Sequence, residues 1–110
     1  MSIEQAGIVD FISINEGASE VVLTISDHLE WSADNKEHLF LLQEKINSYL
    51  RFIESGELME SYPKANGRGV VINIVGKFPL DEEAEKFIDN VRAIVGDAGI
   101  VLRFEEFKDV

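Results

Sequence analysis

Across Val21-Val22-Leu23-Thr24-Ile25-Ser26-Asp27-His28-Leu29-Glu30-Trp31 the apolar spacing of this chain changes from two residues to three and four. Before Asp27, the side chains of Val21, Leu23 and Ile25 fall on one side of an extended segment, and Thr24 and Ser26 on the other. That period of two, in a β-branched run, predicts a strand over residues 21–26 in a sheet with one wetter face. After Trp31, the residues Leu39, Leu42, Ile46, Tyr49, Leu50 and Ile53 line up opposite Glu44, Lys45, Asn47, Ser48 and Arg51. Such spacing predicts one long amphipathic helix over residues 38–54. Asp34, three residues ahead of Glu37, is placed to cap its first turn, and Gly56 to end it. Phe40, Leu41 and Phe52 widen the apolar stripe, as expected of a helix clasped by both a sheet and a second helix.

Working outward in both directions, the same two periods organise the rest. Residues 8–14 are β-branched and apolar, and Asn15-Glu16-Gly17-Ala18-Ser19 is a turn-forming insert of hairpin length, so a first strand should pair antiparallel with residues 21–26. Tyr62-Pro63-Lys64-Ala65-Asn66-Gly67-Arg68-Gly69 is a loop by composition, with Asn66-Gly67 as a turn. The unbroken apolar run over residues 70–75 then suits an interior strand. Pro79 opens a second helix with Asp81 as N-cap and Glu82 and Glu83 in its first turn, where carboxylates offset the positive end of the helix dipole. Ala84, Phe87, Ile88, Val91, Ile94 and Val95 form its stripe, Gly99 its exit, and residues 100–104 a last strand.

The predicted fold class is therefore α+β, a two-layer α/β sandwich with a four-stranded mixed sheet and two helices on one face, in the order β-β-α-β-α-β. Each helix joins two strands as a crossover, so the last three strands should be mutually parallel and the crossovers right-handed; these rules leave the strand order open.

With 110 residues, 45% hydrophobic and 28% charged, the expectation is one globular domain over residues 1–110 that folds without a partner. No cysteine is present, which removes disulfides, thiolate metal sites and thiol nucleophiles. The N-terminal residues show no basic segment followed by an apolar stretch, and no apolar run reaches the roughly 18 residues that span a bilayer, so cytoplasmic residence is expected.

The net charge is −11 and is uneven: residues 1–63 hold 3 Lys/Arg against 12 Asp/Glu, or −9, and residues 64–110 hold 7 against 9, or −2. A field of that sign repels phosphate backbones and anionic lipid while steering basic proteins inward. The expected partner is thus a basic protein, with no nucleic acid and no membrane; the same acidity also serves solubility alone.

The densest polar and aromatic cluster is Asp27-His28-Leu29-Glu30-Trp31, at the carboxyl end of a strand where ligands of parallel α/β arrangements usually sit. Asp27, His28, Glu30, Trp31 and, in the later loop, Tyr62 are the candidate binding residues. In one reading His28 is an acid–base group oriented by Asp27 or Glu30. In the other, Asp27 and Ser32 are loop and cap residues, His28 is a surface side chain and Trp31 covers the end of the core. The second is favoured, because neighbouring side chains of an extended segment point to opposite sides.

Other motifs fall away. His28 and His38 are the only histidines, and neither a two-histidine helical spacing nor a calcium-loop pattern accompanies them, so no metal and no cofactor is expected. Lys64, Gly67, Arg68 and Gly69 form a basic glycine-containing loop, but a strand rather than a helix follows it, against the phosphate-binding pattern. No nucleophile elbow is present, nothing selects a Ser-His-Asp set, and with 21 acidic residues carboxylate pairs arise by chance, so no catalytic residue is assigned.

The pattern Ile25-Ser26-Asp27-His28-Leu29-Glu30-Trp31, with His38-Leu39 and the run from Leu42-Gln43-Glu44-Lys45-Ile46-Asn47 to Glu54-Ser55-Gly56-Glu57, resembles a family of small bacterial proteins known only as a domain of unknown function. The likeness extends through Tyr62-Pro63 and the Pro79-to-Glu83 helix start. It implies the fold and a bacterial origin, and carries over no activity, cofactor or site residue.

Three functional readings follow. One is a non-catalytic acidic module that binds a basic protein, as immunity proteins and nuclease inhibitors do. Another is a small-ligand binder or enzyme with a pocket at Asp27–Trp31. The last is a homo-oligomer joined through an exposed sheet face or edge.

Overall fold

A computed structural model describes residues 11–31 and 35–107. Its strands are β1 (Phe11–Asn15), β2 (Glu20–Asp27), β3 (Gly69–Gly76) and β4 (Ile100–Glu106). The helices are α1 (Lys36–Glu54), the single turn α2 (Glu57–Ser61) and α3 (Glu82–Asp97), and a 3₁₀ turn covers Pro63–Ala65. Both long helices sit where the three- and four-residue spacing puts them, but Lys45 and Ser48, expected on the polar side of α1, are buried. Residues 8–10 of the expected first strand and the expected cap Asp34 lie outside the described residues.

The sheet order is β1-β2-β3-β4, the simplest arrangement that the crossover rules left open. β1 is antiparallel to β2, with Ile14 opposite Val21, while β2 runs parallel to β3 and β3 to β4. In register, Leu23, Ile72 and Leu102 lie side by side, as do Ile25, Ile74 and Phe104. All except Phe104 are fully or almost fully buried, and they form one core with Leu42, Ile46 and Tyr49 of α1 and Ile88 and Val95 of α3. The alternation of β2 is complete: its inward residues are buried and every outward one is partly open.

The connection from α1 to β3 holds more structure than its composition announced. Gly56, at φ +89°, ends α1 and begins α2, whose Leu58 is fully buried. Ala65 of the 3₁₀ turn is also fully buried. Asn66 (φ −61°, ψ 129°) and Gly67 (φ +83°) then make a type II turn closed by Arg68 N–H donating to the Ala65 carbonyl at 3.1 Å.

The widened stripe of α1 behaves in two ways. Leu41 and Phe52 pack against the core as expected, but Phe40 remains 59% exposed, so the clasp by sheet and second helix does not extend to it.

Candidate functional site

The period of two in β2 carries through to its last residue. After Val21, Leu23 and Ile25, the next inward position is Asp27, so the strand delivers a carboxylate into the apolar layer beside the first turn of α1. An unpaired charge there would cost several kcal/mol. The partner is His38, whose spacing to Leu42 and Ile46 puts it on the buried side of α1. Asp27 Oδ2 lies 2.6 Å from His38 Nε2, and the two side chains are 2% and 5% exposed.

The remaining polar atoms of the pair are also occupied. Asp27 Oδ1 accepts the Leu29 backbone N–H at 3.1 Å, which turns the chain sharply after the strand. His38 Nδ1 faces the Glu30 carbonyl oxygen at 3.2 Å. A carbonyl only accepts, so Nδ1 donates to it, and the Nε2–Oδ2 contact then holds one proton between ring and carboxylate. Trp31 covers the imidazole face: the two rings stack with centroids 3.5 Å apart and planes 12° from parallel. Aromatic pairs in such contact add about 0.5–1.5 kcal/mol beyond the area they bury.

A second tie lies alongside. Asn35 is buried and precedes the first turn of α1, and its Nδ2 donates to Asp81 Oδ2 at 2.7 Å. Asp81 is the N-cap of α3 as expected, its Oδ1 accepting the Ala84 N–H at 2.8 Å. One carboxylate therefore joins the starts of both long helices. Lys77 N–H donates to the Asp27 carbonyl at 2.8 Å and holds the segment after β3 against the end of β2. Gly76, beside Asp27 in the sheet, leaves room for the Phe104 ring, which a Cβ at position 76 would meet at 2.7 Å.

The candidate residues separate around this junction. Asp27 and Trp31 meet at His38, a residue that sequence reasoning considered only in passing as a metal ligand or triad member. His28 makes no part of the buried pair: it is exposed and lines a depression of about 710 Å³ whose wall also includes Asp27, Lys77, Phe78, Glu106 and Phe107. Trp31 and exposed Glu30 line a different depression, of about 470 Å³, with Pro79, Leu80 and Asp81. Phe78 stands in the wall of both, so His28 and Trp31 do not share a pocket. Tyr62 is 43% exposed on the connection that enters the amino end of β3, at the opposite end of the sheet from Asp27.

Chemically, the junction is closed. Its imidazole has one nitrogen on a carboxylate and the other on a backbone carbonyl, leaving neither directed at solvent to exchange a proton with a substrate. Among the described residues, no group of three or more His, Asp or Glu is arranged to hold a metal ion, and no helix is long and apolar enough to cross a membrane.

The fold and junction define a small α+β sandwich in which a buried acid–base pair, Asp27 and His38, links sheet to helix. The chain belongs to the family of unknown function DUF6572, whose model matches residues 1–108. No curated protein and no solved structure matches it.

Proposed function

We propose that the chain is a non-catalytic binding protein whose acidic end, at the carboxyl edge of the parallel strands, engages a basic protein in the manner of an immunity protein or inhibitor. The observation that carries this reading is the contrast between a sealed interior pair and a charged exterior at the same end. Asp27 and His38 are consumed internally, whereas Glu30, Glu37, Glu82, Glu83, Glu105 and Glu106 are all exposed around them. Glu37, Glu82 and Glu83 sit in first helical turns, where the helix dipole accounts for their placement. Glu30 and Glu106 have no such helix-dipole reason, and they line depressions with the partly buried rings of Trp31 and Phe78 and the exposed ring of Phe107. Aromatic anchors inside a carboxylate rim supply the two things a cationic partner needs, a hot spot and a steering field.

The test is affinity capture with wild-type protein and with a Glu30→Lys/Glu106→Lys variant, at about 50 mM and about 500 mM salt, followed by reconstitution with the purified partner. A cationic protein held by the wild type at low salt, released at high salt and bound at least about tenfold more weakly by the variant is the expected result. Recovery of no basic partner, or of one that binds both forms equally, would defeat the reading.

A second reading, small-ligand binding, draws on the 710 Å³ depression at the strand ends, where His28 and Lys77 face Glu106. A thermal-shift screen against small anions and zwitterions addresses it. A shift that disappears in Lys77→Ala favours it over the first reading.

A further inference from the structure

The outer side of the helical layer carries a groove between α1 and α3, about 320 Å³ in volume, with no charged side chain in its lining. Its apolar walls include Leu50 of α1 and Phe87 and Val91 of α3, and Ile94 stands at its lip 69% exposed. The polar groups that complete the lining are all carboxamides: Gln43, Asn47 and Asn90. Phe40, 59% exposed, lies three residues before Gln43 on α1 and so on the same side of that helix.

The chemistry of this face selects its occupant. In an interface with two-fold symmetry a patch must complement itself. Carboxylates fail that requirement, and on a chain of net charge −11 most of the surface therefore repels a second copy. Apolar side chains meet the requirement, and so do carboxamides, because each both donates and accepts a hydrogen bond. An uncharged apolar centre within a polar neutral rim is also the composition of a protein interface core. A basic partner, by contrast, would meet no carboxylate in this lining.

We infer that this groove is the contact face of a symmetric homodimer, in which the α1/α3 layers of two copies pack together and Ile94 of each enters the groove of the other. The assignment differs from the sheet face or edge expected from sequence, and it does not rest on the acidic-end reading. Salt separates the two: it weakens a carboxylate-to-cation contact, and it leaves unchanged or strengthens the association of two like-charged copies through neutral groups.

Sedimentation velocity of the full chain, from about 1 to about 200 μM and at about 0.15 and 0.5 M salt, is the test. The expected result is a concentration-dependent monomer–dimer equilibrium that persists at the higher salt. Ile94→Glu and, separately, Asn90→Asp should each weaken it about tenfold or more with circular dichroism unchanged, while Ile94→Val retains it. The second variant stands in if the first fails to fold. The inference is overturned if the chain is monomeric throughout, if the dimer is indifferent to both charged variants, or if Val101→Glu on the opposite face of the sheet dissociates it instead.

Discussion

The junction at Asp27 and the groove between α1 and α3 invert the usual relation between polarity and exposure. At the junction, a carboxylate, an imidazole and a carboxamide are buried, and each is hydrogen-bonded within the chain. In the groove, a large apolar residue, Ile94, faces outward. The contrast shows that a conspicuous polar cluster is no sign of function when its valences are closed, and that the surface open to partners is found by asking what remains unsatisfied outside.

The largest effect that would break this comparison lies at the junction. Asp27→Ala strands the imidazole of His38 in an apolar layer and should cost about 3–5 kcal/mol, measured by urea unfolding followed through the emission of Trp31, the sole tryptophan. A loss below about 1 kcal/mol would mean that the pair is not holding sheet to helix. Asp81→Ala removes both the α3 cap and the tie to Asn35, for an expected loss of about 1–2 kcal/mol in the same assay. Tyr49→Phe deletes the hydroxyl that donates to the Thr24 carbonyl at 2.6 Å, and about 1 kcal/mol should go with it. The smallest effect belongs to the groove: Ile94→Ser, read at concentrations where the chain is monomeric, should stay within about 0.5 kcal/mol of wild type. A substantially larger loss would place Ile94 in the core rather than on a docking face.

How much of this was legible in the sequence follows from what each period reports. Burial decides the spacing of Val21, Leu23 and Ile25 and of Leu42, Ile46 and Tyr49, so strands, helices and the α+β class could be read directly. The turn α2 could not, since five residues with one buried leucine span too little chain to express a helical period. At the site, the eye is drawn to Asp27-His28 because the two are adjacent, yet extended backbone sends neighbours to opposite faces. The available signal lay in the spacing of His38 to Leu42 and Ile46, which puts this histidine on the stripe that faces the sheet. Its union with Asp27, eleven residues earlier, depends on how the chain reverses between strand and helix, and residue spacing does not encode that path. The α1/α3 groove was likewise hidden: Phe87, Val91 and Ile94 read as one core stripe, and only the packing shows that Ile94 is left outside.

The most direct test is a double-mutant cycle on Asp27→Ala and His38→Ala, with stability measured for the wild type, both single variants and the double variant. Removing both partners deletes the buried polar pair together, so the account predicts a coupling of about 2 kcal/mol or more, with the double variant far less damaged than the two single losses combined. Single effects that simply add, to within about 0.5 kcal/mol, would contradict it.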